Sequence, residues 1–218
     1  MFNRKAFKRA ARQDLAGRWK SAALVSVVSI IVLGISEIPL SLDTEEDLVL
    51  LLSLALSFII PGIVSIASAY FFLQLATDKS NTTFSTFIEG MNLWHKGILG
   101  SLWAWLWIYL WTLLFIIPGI VKLFSYSQIY YILADYPNMS VKKALKLSIV
   151  MTKGYKGELF FLNLSFIGWG ILCLLTVGVG FIFLVPYQMA TSVNAYRFLK
   201  AQAIASGALQ EADFSDRF

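Results

Sequence analysis

The sequence alternates between long apolar stretches and shorter polar segments. The apolar stretches cover residues 21–40, 48–76, 98–135 and 157–199. A helix rises 1.5 Å per residue, so about 20 apolar residues cross the ~30 Å hydrocarbon core of a bilayer. The last two stretches are each long enough for two crossings. The pattern therefore predicts an all-α membrane protein with about six transmembrane helices.

Three of the polar segments have the apolar spacing of amphipathic helices. These segments are residues 2–20, 78–97 and 136–156. Their predicted apolar faces contain Phe7, Ala11 and Leu15 in the first, Phe84, Phe87, Ile88 and Met91 in the second, and Val141, Leu145, Ser148 and Thr152 in the third. We expect all three helices to lie at the membrane interface, each just before a pair of spans.

Seven residues, Phe58-Ile-Ile-Pro-Gly-Ile-Val64, occur again at Phe115–Val121. Subtracting the proline positions (118 − 61) gives a shift of 57 residues, at which 13 of the 43 positions from Phe58 to Gly100 are identical. This regularity indicates an internal duplication. We expect one polytopic domain over residues 1–199, made of three hairpin repeats, each preceded by an amphipathic interfacial helix. The predicted units are residues 1–77, 78–135 and 136–199, followed by a loosely ordered polar cytoplasmic tail at residues 200–218.

Each hairpin is expected to turn near a proline or a glycine. The predicted turn residues are Pro61, Gly62, Pro118, Gly119, Gly178, Gly180 and Pro186. Two interpretations of residues 48–76 stay open: one long span kinked at Pro61, or a short piece at 48–60 before a helix that starts near Pro61. The repeat favours the second. Gly154 and Gly17 are expected to occupy equivalent places before a span, and Gly168 and Gly170 to allow close helix packing.

Composition supports a membrane location, because 58% of the residues are hydrophobic and only 14% are charged, against about 25% charged in soluble domains. Six crossings would keep all of the 18 lysines and arginines except Lys122 on one side. The positive-inside rule then predicts cytoplasmic N and C termini, with the acidic segment 41–47 as an outer loop. The net charge of +5 does not indicate nucleic-acid binding, since the basic residues form no continuous face.

Two side-chain patterns predict contacts with lipid. Basic residues on the first and third amphipathic helices are expected to contact anionic lipid: Arg4, Lys8, Arg12, Lys142, Lys143 and Lys146. Trp103, Trp107 and Trp111 form one helical stripe. We expect this stripe to anchor the protein in lipid; the alternative is an aromatic wall for a bound amphiphile.

The sequence offers little for catalysis. Its single cysteine, Cys173, and single histidine, His95, are far apart, so they predict neither a zinc site nor a nucleophile–base pair, and no cofactor is expected. Polar residues inside spans are the remaining candidates: Ser125, Tyr126, Ser127, Gln128, Tyr130, Asn163, Gln188 and Asn194. Hydrogen bonds between helices are the favoured role, and a polar pocket at the bundle centre is the alternative.

Several short motifs stand in a fixed order from Leu114 onward. They are Leu114–Lys122, Phe124–Ser127, Tyr131–Asp135, Pro137, Ser148–Met151, Gly154–Lys156, Leu164–Trp169, Thr176–Gly180 and Pro186-Tyr187. With these motifs the chain resembles the DUF975 family of bacterial integral membrane proteins. More distantly, it is similar to the membrane domain fused to some glycerophosphodiester phosphodiesterases. The resemblance implies a bacterial plasma-membrane protein with no established activity. The sequence motifs of the phosphodiesterase catalytic domain are absent from these 218 residues.

Three functions are compared. The favoured function is a non-enzymatic scaffold or accessory subunit, because no charge lies deep in a span. Such a protein would form a homo-oligomer or bind a membrane protein partner. A transporter or exporter of a lipid-like or small amphipathic substrate is the alternative, since proline-interrupted spans in repeated units are a feature of transporter sites. A lipid-modifying enzyme ranks last, because His, Cys and intramembrane acids are scarce.

Overall fold

The computed structural model describes residues 2–36, 47–78 and 81–214. Within these ranges every regular element is a helix, which confirms the all-α prediction. The helices are α1 (Arg4–Leu15), α2 (Trp19–Ser36), α3 (Asp47–Thr77), α4 (Phe84–Met91), α5 (Trp94–Leu114), α6 (Ile116–Tyr126), α7 (Ile129–Asp135), α8 (Val141–Met151), α9 (Lys156–Leu175), α10 (Phe181–Ala205) and α11 (Glu211–Phe214). The predicted outer loop at 41–47 falls almost wholly outside the described residues.

Four helical segments of the described chain are long and apolar enough to cross a membrane: Ala55–Thr77, Trp94–Leu114, Ile116–Asp135 and Lys156–Leu175. The pair α1 and α2 makes a fifth candidate, although its two helices meet at 104°. The chain is thus a membrane protein by its helices, but the predicted number of six crossings is not confirmed. The long helix α10 is not among these candidates, because it contains polar residues such as Gln188, Asn194 and Arg197.

The three predicted amphipathic helices are all present, as α1, α4 and α8. Local capping starts two of them: the Asn3 side chain accepts from the amide of Ala6, and Ser140 Oγ accepts from the amide of Lys143, so each satisfies a free first-turn donor. The expected apolar face of α1, with Phe7, Ala11 and Leu15, is buried. However, it is buried by another helix of the protein, α10, and not left for lipid.

The amphipathic helices share one packing plan. α4 packs on α3, the second hairpin helix of the preceding unit, and α8 packs on α7 in the same way. α1 packs on α10, the second hairpin helix of the last unit. The first hairpin helices follow the same rule, because α5 packs on α3, α9 on α6 and α2 on α10. Each unit therefore rests on the one before it, and the first unit rests on the last.

The first-unit turn predicted at Pro61 and Gly62 is wrong, because both residues lie inside the continuous 31-residue helix α3. Residues 48–76 therefore belong to one long helix, and the alternative of a separate short piece at 48–60 is wrong. In the second unit the chain does turn, but at Phe115, which is extended (φ −158°, ψ 140°) between α5 and α6. Pro118 and Gly119 follow inside α6, so the turn prediction is also wrong for them by three residues. Proline is tolerated in a first helical turn, where its missing N–H needs no partner.

In the third hairpin the turn lies at residues 176–180, as predicted. Gly178 takes a left-handed backbone conformation (φ +86°) beside Val177 (φ +53°), a geometry that glycine adopts without strain. Gly180 closes the turn against Cys173, where an added Cβ would lie 2.6 Å from the sulfur. Pro186 lies inside α10, so its assignment to the turn is wrong.

Two further predictions about glycines and the C terminus have clear outcomes. Gly17 (φ +80°) and Gly154 (φ +85°) both take left-handed conformations just before α2 and α9, as expected for equivalent places. Gly168 and Gly170 have nothing within 4 Å of an added Cβ, so the close packing expected there is wrong.

The C-terminal tail is more ordered than predicted. α10 continues to Ala205, and α11 follows at Glu211–Phe214. Phe214 is only 2% exposed, and its ring lies 5.3 Å from that of Tyr136. Residues 200–214 therefore pack against the helical body, and the prediction of a loose tail is wrong for them.

Candidate functional site

Four of the predicted polar residues, Ser125, Tyr126, Ser127 and Gln128, lie where α6 gives way to α7. Ser148 Oγ, on α8, donates to the carbonyl of Ser125 at 2.7 Å and accepts from the amide of Gln128 at 3.3 Å. The Gln128 side chain donates to Ser127 Oγ at 2.7 Å. Gln128 Oε1 is buried without a hydrogen-bond partner in the described part of the chain. This cluster joins α8 to the break between α6 and α7.

The other predicted polar residues form separate pairs. Tyr130 and Ser101 share a hydrogen bond of 2.8 Å between their hydroxyls, which joins α7 to α5. Gln188 Nε2 lies 3.5 Å from Asn163 Oδ1, which joins α10 to α9. Asn194 Nδ2 donates to Asp14 Oδ2 at 2.7 Å, which joins α10 to α1.

These contacts decide between the two roles considered for the polar residues. Seven of the eight residues make hydrogen bonds between or within helices, at four separate places. The eighth, Tyr126, has its ring centroid 5.8 Å from Lys122 Nζ. The eight residues do not converge on one central cavity. Such bonds contribute about 0.6 kcal/mol each on average in membrane proteins, and together they fix which helices meet.

The basic face of α1 lies against aromatic rings of the third hairpin, in a recessed region that we call the α1 groove. Arg4 lies over the ring of Phe161 at 5.7 Å, Lys8 over Phe166 at 4.2 Å and Arg12 over Tyr187 at 5.5 Å. Lys8 Nζ also donates to the carbonyl of Ser165 at 3.4 Å. Each of the three cations predicted on this face therefore meets a ring.

Two recesses follow this face of α1. The first, of about 520 Å³, is lined by the start of α1 and by Ser165. The second, of about 420 Å³, lies between Arg12 and the end of the third hairpin. Its wall is largely apolar and includes Trp19, Trp169 and Phe183. Trp169 keeps 56% of its surface exposed, so the recess opens on the side of the bundle.

Another recess lined by cations and aromatic rings lies between α5, α6 and α8, and we call it the tryptophan groove. It encloses about 340 Å³, and its lining combines tryptophans with lysines: Trp103, Trp107, Trp111, Lys122, Tyr126, Lys142, Leu145, Lys146 and Ile149. Lys142 lies over the ring of Trp103 at 5.7 Å, and Lys122 over that of Trp111 at 4.9 Å. Of the predicted lipid-contacting lysines, Lys143 stands outside this lining.

A further cluster lies at the C-terminal end of α7, and its partners were not predicted from the sequence. Asp135 Oδ2 accepts from Tyr196 Oη at 2.7 Å and from Lys200 Nζ at 2.9 Å. Because Tyr196 and Lys200 lie more than 60 residues from Asp135 in the chain, no local pattern predicts this cluster.

Nothing in the described residues resembles a catalytic centre. No group of three or more His, Cys, Asp or Glu side chains is placed to hold a metal ion in the searched ranges. Cys173 is buried and not in a disulfide, and the ring of His95 contacts that of Trp94. The described chain does place cations beside aromatic rings, in recesses that open to the side.

Comparison with known proteins gives one match. The model of a family described as "Protein of unknown function (DUF975)" matches residues 98–203, the part of the chain that contains the ordered motifs. No curated protein and no solved structure matches the chain. The more distant similarity to a phosphodiesterase-linked membrane domain stays a prediction.

Proposed function

We propose, from the premise that this chain belongs to the DUF975 family, that it is a multi-pass protein of the bacterial plasma membrane without enzymatic activity. Its role would be that of a scaffold or accessory subunit that acts through helix packing. The observation that carries this proposal is the use of intramembrane polar side chains. They join one helix to another, as Tyr130 joins Ser101 and Asn194 joins Asp14.

A scaffold needs surface for partners, and the first hairpin helices offer it. Only 22% of the spanning window is buried inside the protein in α5 and in α9. Large side chains remain exposed along both, including Tyr109 at 65% and Ile171 at 57%. These faces would contact lipid, a second copy of the chain or another membrane protein.

The scaffold proposal is tested by the state of the protein in a mild detergent. The chain is cross-linked in the membrane and then purified, and mass photometry gives its mass. We expect a stable homo-oligomer or a complex with a membrane partner. Substitution Tyr109→Ala on the exposed face of α5 should weaken that assembly, and the buried-face substitution Ala104→Ser serves as the matched control. A strictly monomeric chain with nothing bound would count against a scaffold.

The proposed topology has six crossings, with α2 and α10 as the first and sixth, and both termini in the cytoplasm. The positive-inside rule supports it. Cysteine labelling tests it, because Cys173 is the only native cysteine and is buried. A cysteine introduced at Asn138 should react with a membrane-impermeant reagent only after the cells are opened, and one at Phe115 should react in intact cells. The reverse result would invert the topology.

A second function, transport or export of a lipid-like anionic substrate, is favoured by one observation. The α1 groove and the tryptophan groove each place cations beside an apolar wall that opens on the side of the bundle. Such a groove suits an amphiphile that moves sideways out of the bilayer. Vesicles that contain the purified chain should then flip fluorescent anionic lipids faster than empty vesicles. Equal rates over a broad lipid panel would argue against transport.

A further inference from the structure

The α1 groove and the tryptophan groove are built in the same way. In each, an amphipathic helix packs its apolar face on the second helix of another hairpin: α8 packs on α7 of the preceding hairpin, and α1 packs on α10 of the last one. Its basic face then meets aromatic side chains of that hairpin: Lys142 meets Trp103, as Arg4 meets Phe161. The two grooves are therefore related by the repeat of the chain, and they are separate places on the molecule.

The cations of both grooves lack acidic partners among the described residues. The described residues contain an ion pair between Lys200 and Asp135, but it lies at the end of α7, outside both grooves. The groove cations are Arg4, Lys8, Arg12, Lys122, Lys142 and Lys146. Aromatic rings beneath several of them hold the positive charge in place but do not neutralise it. An anion that enters either groove would therefore meet unneutralised charge already held in position.

The remaining amphipathic helix, α4, shows what the repeat looks like without this charge. At the shift of 57 residues, Lys142 corresponds to Ser85 and Lys146 to Glu89. α4 still packs on α3, and Glu89 is exposed. The packing plan is thus kept in all three units, whereas the basic face is present in only two. Helix packing alone does not require the lysines, which points to a separate use for them.

We propose that the α1 groove and the tryptophan groove are two copies of one binding site for an anionic phospholipid. The phosphate lies at the basic face of α1 or α8, and an acyl chain lies along the aromatic wall. The surrounding bilayer supplies the ligand, because both walls open sideways: Trp107 is 41% exposed and Trp169 is 56% exposed. Recesses of about 340 Å³ and 420 Å³ fall within the range of small-molecule sites. This inference rests on the proposed membrane location and is independent of the scaffold role.

Native mass spectrometry of the full chain in a neutral detergent tests the proposal. Phosphatidylglycerol is titrated against phosphatidylcholine, which has the same chains and a zwitterionic headgroup. Two phosphatidylglycerol molecules should remain bound at concentrations at which phosphatidylcholine is lost. The double variant K142Q/K146Q should bind one of the two about thirtyfold more weakly, because each basic residue near an anionic headgroup contributes about fivefold.

The variant R4Q/K8Q/R12Q should weaken the other lipid, so the two variants together remove both. The matched control S85Q/E89Q changes the equivalent positions of α4 and should keep both lipids. The conservative variant K142R/K146R, which preserves charge, should also keep both and shows whether loss of binding reflects loss of fold. Equal retention of phosphatidylcholine, or unchanged binding in both glutamine variants, would overturn the proposal. An oligomer that persists in these variants leaves the scaffold proposal untouched.

Tryptophan fluorescence gives a second readout. Phosphatidylglycerol brominated along its chain should quench the emission of the wild-type chain, and W103F/W107F/W111F should remove the part of that quenching that comes from the tryptophan groove. If the quenching is unchanged in K142Q/K146Q, the lipid is not held by the lysines and the site is misassigned.

Discussion

The seven residues from Phe58 to Val64 lie inside α3, whereas the same seven residues from Phe115 to Val121 follow the end of one helix and begin another. Phe115 is extended and lies at a turn, while Phe58 is helical. Identical sequence therefore takes two structures in one chain. The local residues permit both, and the position of the segment along the crossing decides between them.

Helix length explains the choice. α5 has 21 residues before the second copy, or about 31 Å, enough to cross the hydrocarbon core. α3 begins at Asp47, only eleven residues before Phe58, so about 17 Å of helix precedes the first copy. A turn at Phe58 would leave the backbone inside the hydrocarbon, where its polar groups have no partners. The chain therefore continues through Pro61 and accepts the loss of one helical hydrogen bond.

The glycine that follows each proline packs closely against the same helix, α5. A Cβ on Gly62 would lie 2.7 Å from the carbonyl oxygen of Gly97 on α5. A Cβ on Gly119 would collide with Thr112 on α5, near the opposite end of that helix. Both copies thus place a backbone without a side chain against α5, one at a helix crossing and the other beside a hairpin turn.

The largest effect is expected from an insertion. A ten-residue Gly/Ser tag placed after Phe115 should leave the folded fraction unchanged, because Phe115 lies at a turn and is 67% exposed, and loop tips tolerate insertions. The same tag after Phe58 interrupts α3 and should abolish folding. Fluorescence-detected size-exclusion chromatography measures both. A tag after Gly178, at the turn of the third hairpin, is the matched control. Equal tolerance at 58 and 115 would contradict the difference between the copies.

The second effect separates the two glycines. G62A should lower the free energy of unfolding by about 3 kcal/mol, because the added Cβ meets the backbone carbonyl of Gly97 as well as the Ser101 hydroxyl, so α3 and α5 must move apart. G119A should cost less, and T112A should restore part of the loss, because the nearest atom is the Thr112 hydroxyl. G168A, where an added Cβ meets nothing within 4 Å, is the control. Thermal melts in detergent rank the variants, and a milder effect for G62A than for G119A would refute this order.

A third difference concerns the aspartates that are equivalent at the repeat shift. Asp135 accepts from Tyr196 and Lys200 on α10, whereas Asp78 accepts from Asn81, three residues away. D135N should lower the free energy of unfolding by about 2 kcal/mol, since hydrogen bonds to charged groups contribute about 1.5–3 kcal/mol. D78N should have the smaller effect. A double-mutant cycle of D135N with K200M measures the coupling, and a coupling of zero would show that the pair does not hold α7 to α10.

The smallest effect is expected from replacing the two prolines of the repeated segment, Pro61 and Pro118. P118A should lower the free energy of unfolding by about 0.5 kcal/mol, because proline at the start of α6 restricts the unfolded chain at no cost to the fold. P61A should raise it, because alanine returns a backbone N–H to the interior of α3. Chemical unfolding in mixed micelles gives both values. A change of the same sign in both variants would show that the two prolines occupy similar environments.

Local patterns predicted local structure well. The faces of α1 and α8 followed from apolar spacing, because that spacing is a property of neighbouring residues. The turn at residues 176–180 followed from two closely spaced glycines. The turn expected at Pro61 was wrong because a proline signal does not report how much helix precedes it.

The site was predictable in its residues but not in its arrangement. The basic residues of α1 and the tryptophan stripe of α5 were both recognised in the sequence. The rings that face those cations, such as Phe161 for Arg4 and Tyr187 for Arg12, are more than 150 residues from them in the chain, and no spacing rule connects them. The docking of α4 and α8 on the preceding hairpins, like that of α1 on the last one, is likewise set by long-range packing.

The docking of α1 on α10 has a consequence for biosynthesis. Phe7 packs against Phe198, with ring centroids 5.4 Å apart, so α1 is synthesised well before the helix on which it packs. At about 5–20 residues per second, the interval is on the order of 10–40 s. During that time the lipid surface can cover the apolar face of α1. This helix therefore waits as a membrane-bound amphipathic segment and reaches its final position only after α10 has been made.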